Sequence, residues 1–171
     1  MIDYVISTVS ELFPVYVSGK ETSNRYIEDK FFIPDLYPAS TPLVGLYSAL
    51  KTVEQEAVFL ISGDMPLAQK GLIRFLGSKL SGNIDAVVPF YEMPQTTFAF
   101  YKKSCLNVIQ EALKNNIFSL KTMLRKLKVR YIYEKEMRKF DKDLVSFFNI
   151  NTPAQLEIGK KLLDVNRSDK F

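Results

Sequence analysis

The stretch Val58-Phe59-Leu60-Ile61-Ser62-Gly63-Asp64-Met65-Pro66 decides how this chain is read. Four apolar residues in a row, without alternation, predict a strand buried on both faces, as in a parallel sheet. The run then ends at a carboxylate. Open parallel sheets bind their ligands beyond the carboxyl ends of the strands, and Asp64 falls there. An acid in that place can hold a divalent cation against nucleotide phosphates while a phosphoryl or nucleotidyl group transfers. Gly63 leaves the backbone bare beside a ligand, and Met65-Pro66 turns the chain toward the next helix. The simpler reading is that Asp64 caps the turn before that helix.

Outward from this strand, apolar periodicity alternates helices with strands. Ile2, Val5, Ile6, Val9 and Leu12 recur at helical spacing. Val15–Val17 and Phe31–Ile33 read as short strands, with residues 20–30 a polar loop or ragged helix between them. Asp35–Pro42 is an extended, proline-rich loop, and Leu43–Lys51 is a helix. Gln69–Leu80 is a helix, and Asp85–Pro89 and Thr97–Tyr101 are strands. Helices follow at Cys105–Leu113 and Ser119–Leu127, then a strand at Val129–Tyr133 and a brief one at Ser146–Phe148. The last helix starts at a capping box, with Thr152 at N-cap, Pro153 at N1 and Gln155 at N3. Strands alternating with helices predict an α/β fold with a mostly parallel sheet.

Composition sets the limits on chemistry. The 171 residues are 47% hydrophobic, which suits a single domain with a real core, expected over residues 1–165 with 166–171 as a frayed tail. No segment approaches the roughly 20 apolar residues of a membrane span. Asp3 and Glu11 stand where a signal peptide would need basic charge. A single cysteine, Cys105, excludes an intrachain disulfide and suits a reducing cytoplasm. With no histidine and one cysteine, zinc sites and histidine-based triads are excluded, so a metal must be oxygen-ligated, Mg²⁺ or Mn²⁺. The net charge of +4 is uneven: residues 114–142 hold ten Lys/Arg against Glu134, Glu136 and Asp141. Such a run is a solvated helix face, or a surface for a phosphorylated ligand or an acidic partner protein. It lacks the interleaved aromatics of an RNA-binding motif, so no nucleic-acid partner is expected.

Two further stretches bear on Asp64. One is Asp35-Leu36-Tyr37-Pro38-Ala39-Ser40-Thr41-Pro42-Leu43-Val44-Gly45-Leu46, and the other is Phe147-Phe148-Asn149-Ile150-Asn151-Thr152-Pro153. With GDMP, in this order and at these separations, they resemble the MobA-like molybdenum cofactor guanylyltransferases, over nearly the whole chain. NINTP in its place is the more specific element. The resemblance implies a Rossmann-like fold of the nucleotide-diphospho-sugar transferase type, with helices on both faces of the sheet. It implies transfer of GMP from GTP to molybdopterin, with Mg²⁺. Asp64 would be the metal-binding carboxylate. Asp35, Pro42, Leu43 and Gly45 would lie along the base and ribose. Asn149 and Asn151 would face the catalytic cleft on the pterin side, where an amide offers both donors and an acceptor. The plainer reading of the two asparagines is turn chemistry before the Thr152 cap.

The chain departs from that family's pattern in two places. Ala39 and Thr41 stand where the family's loop has glycines, which puts guanine selectivity in question. The family also opens on a strand and a glycine-rich loop of the form L-A-G-G-x-S-x-R-M-G-x-D-K, whose amides and basic residues hold the triphosphate. These 171 residues contain no such stretch, and Met1-Ile2-Asp3-Tyr4 matches the helix that follows it. The expectation is a sheet whose central strand and loop are absent, and a chain that alone does not transfer GMP. Two other readings stand beside this one. A related nucleotidyltransferase would use CTP or a sugar 1-phosphate. A non-catalytic adaptor would dock a molybdoenzyme or another cofactor-biosynthesis protein through the basic 114–142 region.

Overall fold

The computed structural model describes residues 2–20 and 31–150, together with Thr152, Gln155, Glu157 and Gly159. The readings of residues 21–30, Asn151, Pro153 and the tail lie outside the described residues. The chain runs α1 (Ile2–Ser10), β1 (Val17–Gly19), β2 (Phe32–Pro34), α2 (Pro42–Thr52), β3 (Ala57–Ile61), α3 (Lys70–Ser78), β4 (Ala86–Tyr91), β5 (Met93–Pro94), β6 (Phe98–Lys102), α4 (Leu106–Lys114), α5 (Leu120–Leu124), β7 (Val129–Tyr133) and α6 (Glu134–Met137).

Strand alternation sorts the side chains into two cores. Val58, Leu60, Ala86, Val88, Ala99 and Tyr101 point to a first core, closed by α2, α4 and α5. Phe59, Ile61, Val87, Phe98 and Phe100 point to a second, closed by α3 and by Met137 of α6. Helices therefore cover both faces, as the alternating pattern predicts. The main sheet has β6 between β3 and β4, with β7 and the short β5 also bonded to β4. β3, β4 and β7 run in one direction, and β6 and β5 run against them. Glu92, at φ 58°, reverses the chain between β4 and β5, which puts Tyr91 opposite Met93.

β3 departs from its expected burial. β4 and β6 are largely buried, but all five residues of β3 are only half-buried. The cause is position. β3 ends the main sheet and bonds only β6, while β1 and β2 form a separate parallel pair. Between β1 and β3 lies a cavity of about 530 Å³, lined by both strands, by α1 and by α2.

Local chemistry changes two other expectations. Ser146–Phe148 is not a strand: Val145–Phe147 is a single 3₁₀ turn. The buried Asp141 carboxylate accepts hydrogen bonds from the N–H groups of Val145 (3.0 Å) and Ser146 (2.9 Å), which curls the backbone. The one-turn helix α6 carries no apolar period to announce it and is braced by an Arg138–Glu134 ion pair one turn apart. The capping box forms as read: Thr152 Oγ1 accepts from the Gln155 N–H (3.2 Å), and the Gln155 side chain accepts from the Thr152 N–H (3.0 Å).

Candidate active site

Asp64 leaves the end of β3 through a tight turn, in which the Met65 N–H donates to the Ser62 carbonyl at 3.3 Å. Met65, Leu67 and Ala68 are then buried, and Met65 and Ala68 fix the turn in the second core. The capping reading of Asp64 fails. The N-cap of α3 is Gln69, and its N–H donates to Ser146 Oγ at 2.9 Å. Asp64 Oδ1 is shut off from solvent with no hydrogen-bond partner among the described residues. A carboxylate oxygen in that state costs free energy unless a cation or donor takes it, so the residue fits a metal-binding role. Among the described residues no three His, Cys, Asp or Glu side chains gather as a ready-made metal cage. A cation at Asp64 would draw its remaining ligands from substrate oxygens and water, a common arrangement for Mg²⁺.

The NINTP stretch is joined to this turn directly. The Ile150 N–H donates to the Asp64 carbonyl at 2.9 Å, and the Ile150 side chain is buried. Asn149, next to it, is exposed at the same end of the sheet. Asn151 lies outside the described residues. What holds this segment in place was not singled out from the sequence. Asp141 curls the 3₁₀ turn, and Ser146 Oγ, fully buried, ties that turn to the start of α3. The available signal was the spacing of Asp141 to Val145 and Ser146, an acid four and five residues ahead of two amides it can reach.

The third segment sits across the cavity. Asp35 donates its N–H to the Gly19 carbonyl (2.8 Å) and accepts from Ser18 Oγ at Oδ1 (3.0 Å), which ties the end of β2 to β1. Ser48 Oγ accepts from the Leu36 N–H (2.9 Å) and donates to the Val44 carbonyl (2.9 Å), so the loop is moored to α2. Thr41 caps α2 at φ −139°, and neither it nor Ala39 takes the positive φ that would call for glycine. Pro42 is exposed, whereas Leu43 is fully buried in the first core and can offer a ligand only its backbone. A Cβ on Gly45 would come within 3.3 Å of Ser18 Oγ, so glycine lets α2 approach β1 closely. Asp35, Pro42 and Gly45 thus share a cavity with Ser62 and Gly63, the residues just before Asp64, and Asp64 is bonded to Ile150, the neighbour of Asn149.

The basic stretch 114–142 is partly neutralised on its own surface. Lys126 bonds Glu111 at 2.8 Å, and the same contact lowers the pKa of the Glu111 carboxyl. Cys105 is buried and donates to the Asp85 carbonyl, and burial pushes its thiol up to about 12. That makes it an inert packing group rather than a nucleophile.

Comparison with known proteins agrees with the fold. A molybdenum cofactor guanylyltransferase from Desulfosudis oleivorans is 32% identical over 169 residues, spanning 98% of this chain and 84% of that protein. Among solved structures, the molybdopterin-guanine dinucleotide biosynthesis protein A of Archaeoglobus fulgidus superposes with a TM-score of 0.80 at 28% identity, over 95% of this chain and 85% of that one. A 2-C-methyl-D-erythritol 4-phosphate cytidylyltransferase from Thermus thermophilus shares the fold, at 12% identity and a TM-score of 0.70, over 95% of this chain and 88% of that one. The model of the MobA-like NTP transferase domain matches residues 1–131, and the chain belongs to that family of nucleotidyltransferases.

Proposed function

We propose that this protein transfers GMP from GTP to molybdopterin in making the guanine dinucleotide form of the molybdenum cofactor. The terminal phosphate oxygen of the pterin attacks the α-phosphorus of GTP. The bond from that phosphorus to the β-bridging oxygen breaks, and pyrophosphate leaves. The observation that supports this reading is the Asp64 carboxylate, orphaned at Oδ1 beyond β3 and tied through its carbonyl to Ile150. Nucleotidyltransferases generally need a divalent metal; Asp64 would hold it, as Mg²⁺, and the ion would supply positive charge against the phosphates. Asp35 and the loop through Pro42 and Gly45 border the base and ribose, and Asn149 and Asn151 serve the pterin side. No helix among the described residues is long and apolar enough to cross a membrane. We place the reaction in the cytoplasm, consistent with the single buried cysteine.

Asp64→Asn tests the proposal, because it keeps size and hydrogen bonding but removes the charge. In a form of the protein that transfers GMP from labelled GTP with Mg²⁺, the substitution lowers turnover at least about tenfold, some 1.4 kcal/mol of barrier, with the melting temperature little changed. A normal rate at limiting Mg²⁺ would return Asp64 to a plain turn residue. The nucleotide is read independently of turnover: GTP with Mg²⁺ raises the melting temperature more than CTP or UTP does, and the excess disappears in the variant.

A further inference from the structure

We propose that Asp141 and Ser146 are positioning residues for Asp64: together they clamp both ends of the turn that carries it, and so set how tightly its carboxylate holds a divalent cation. The turn runs from Asp64 to Gln69. At its start, the Asp64 carbonyl accepts from the Ile150 N–H at 2.9 Å. At its end, the Gln69 N–H donates to Ser146 Oγ at 2.9 Å. Between these points Met65, Pro66, Leu67 and Ala68 are buried, so the turn has no slack on its core side. One short stretch, 146–150, thus holds both ends of the segment that presents Asp64. Asp141 fixes that stretch in its turn. It is 4% exposed, and both its carboxylate oxygens are taken, Oδ1 by the Val145 N–H at 3.0 Å and Oδ2 by the Ser146 N–H at 2.9 Å. Its own N–H donates to the Met137 carbonyl at 3.0 Å, which ties the acid to α6.

Two features mark the clamp as more than packing. The first is strain. Leu144 stands at φ 54°, a left-handed conformation that side chains other than glycine rarely adopt. Its side chain is buried in the second core and its N–H donates to the Asp141 carbonyl at 3.1 Å, so the surroundings hold it there. Phe147, with its ring 5.7 Å from Tyr91 and 5.3 Å from Phe98, anchors the same stretch from the other side. The second feature is the contrast between two carboxylates joined by one network. Asp141 has both oxygens paired. Asp64 Oδ1 is the sole buried side-chain oxygen or nitrogen without a partner among the described residues. Asp64 as a whole is only half-buried, so a free turn would relieve the penalty by letting the carboxylate swing to water. The clamp withholds that escape and keeps the oxygen dry and unpaired, and binding of a cation removes the penalty. Groups that orient a metal ligand without touching the metal change affinity by about 10–100-fold. The cation at Asp64 rests on the function proposed above.

Mn²⁺ titrated into the isotope-labelled protein tests this, because its unpaired electrons broaden the NMR signals of nearby amides. Broadening at Gly63, Asp64 and Met65 yields a dissociation constant with no turnover involved. Asp64→Asn abolishes it. Ser146→Ala removes only the acceptor for Gln69, and Asp141→Asn keeps the shape of the acid but loses one of its two acceptors. Each weakens Mn²⁺ binding at least about fivefold, while the rest of the spectrum stays that of the folded protein. Ile109→Val, in the first core, is the comparison for stability: it lowers the melting temperature and leaves the Mn²⁺ affinity unchanged. Unaltered affinity in either clamp variant, with Asp64→Asn still abolishing binding, would overturn the positioning role and leave the proposed function standing. So would an equal loss of affinity in Ile109→Val, which would tie binding to stability alone. Broadening that survives Asp64→Asn, or is absent from the unaltered protein, would defeat the metal reading and the clamp's role with it.

Discussion

The two ends of this molecule share an apolar vocabulary and use it differently. In the half built on β4 and β6, successive residues alternate between two cores and almost every side chain is enclosed. In the half built on α1, β1 and β3, equally apolar residues stand around a cavity. Phe59 shows the boundary: its ring packs at 5.1 Å from Phe98 and 4.8 Å from Phe100, yet the strand that carries it remains half-buried. Apolar sequence alone thus predicts that a segment will seek cover. Whether it finds any depends on a neighbouring strand.

Four measurements would break or sharpen that contrast. The largest effect belongs to the closed half. Phe98→Ala empties space between Phe59 and Phe147 and costs about 3–5 kcal/mol in chemical denaturation, whereas Val17→Ala beside the cavity costs no more than about 1 kcal/mol. Similar costs would erase the distinction between the halves. Next is Asp141→Ala, which orphans the amides of Val145 and Ser146. It lowers stability by about 1–3 kcal/mol and speeds exchange of the Ile150 amide, visible by NMR. A stable variant with a slow Ile150 amide would mean that the 3₁₀ turn holds itself.

Smaller still is Asn149→Ala. It weakens the pterin acceptor roughly fivefold, about 1 kcal/mol, with GTP binding unchanged. Equal losses for both substrates would assign Asn149 to the turn. The last effect is one of pH. Burial raises the Cys105 thiol from near 9 to about 12, so the unfolded chain releases this proton first. The stability this group contributes is complete below pH 9 and is lost as pH rises from 9 toward 12. The phenol of Tyr101, also raised by burial, acts in the same direction. Melting temperatures at pH 8 and pH 10.5 reveal the slope, which Cys105→Ala reduces.

Much of this was legible in the order of residues, for identifiable reasons. The run Val58–Ile61 gave β3, because an unbroken apolar run is a local signal. The Thr152–Gln155 capping box was readable since it spans a single turn. The 3₁₀ turn at Val145–Phe147 was not. Phe147 and Phe148 resemble strand residues, and only the Asp141 carboxylate, acting through backbone amides, decides otherwise. The edge position of β3 was likewise invisible within its own residues, since it is a property of what lies beside it. At the site, Asp64 stood out by its place after an apolar run. Ser146 did not, because a serine that bonds a distant amide has no periodicity.

The hydrogen bond from Ile150 to Asp64 also sets a timetable for synthesis. A ribosome makes β3 and its acid early, and the chain can begin to pack α2 and α3 around them. The turn at Asp64 nevertheless stays unlatched until residue 150 has emerged. A nascent chain stalled before Phe147 would hold most of its hydrophobic core and an unlatched Asp64 turn, so this corner of the molecule is among the last parts to be closed.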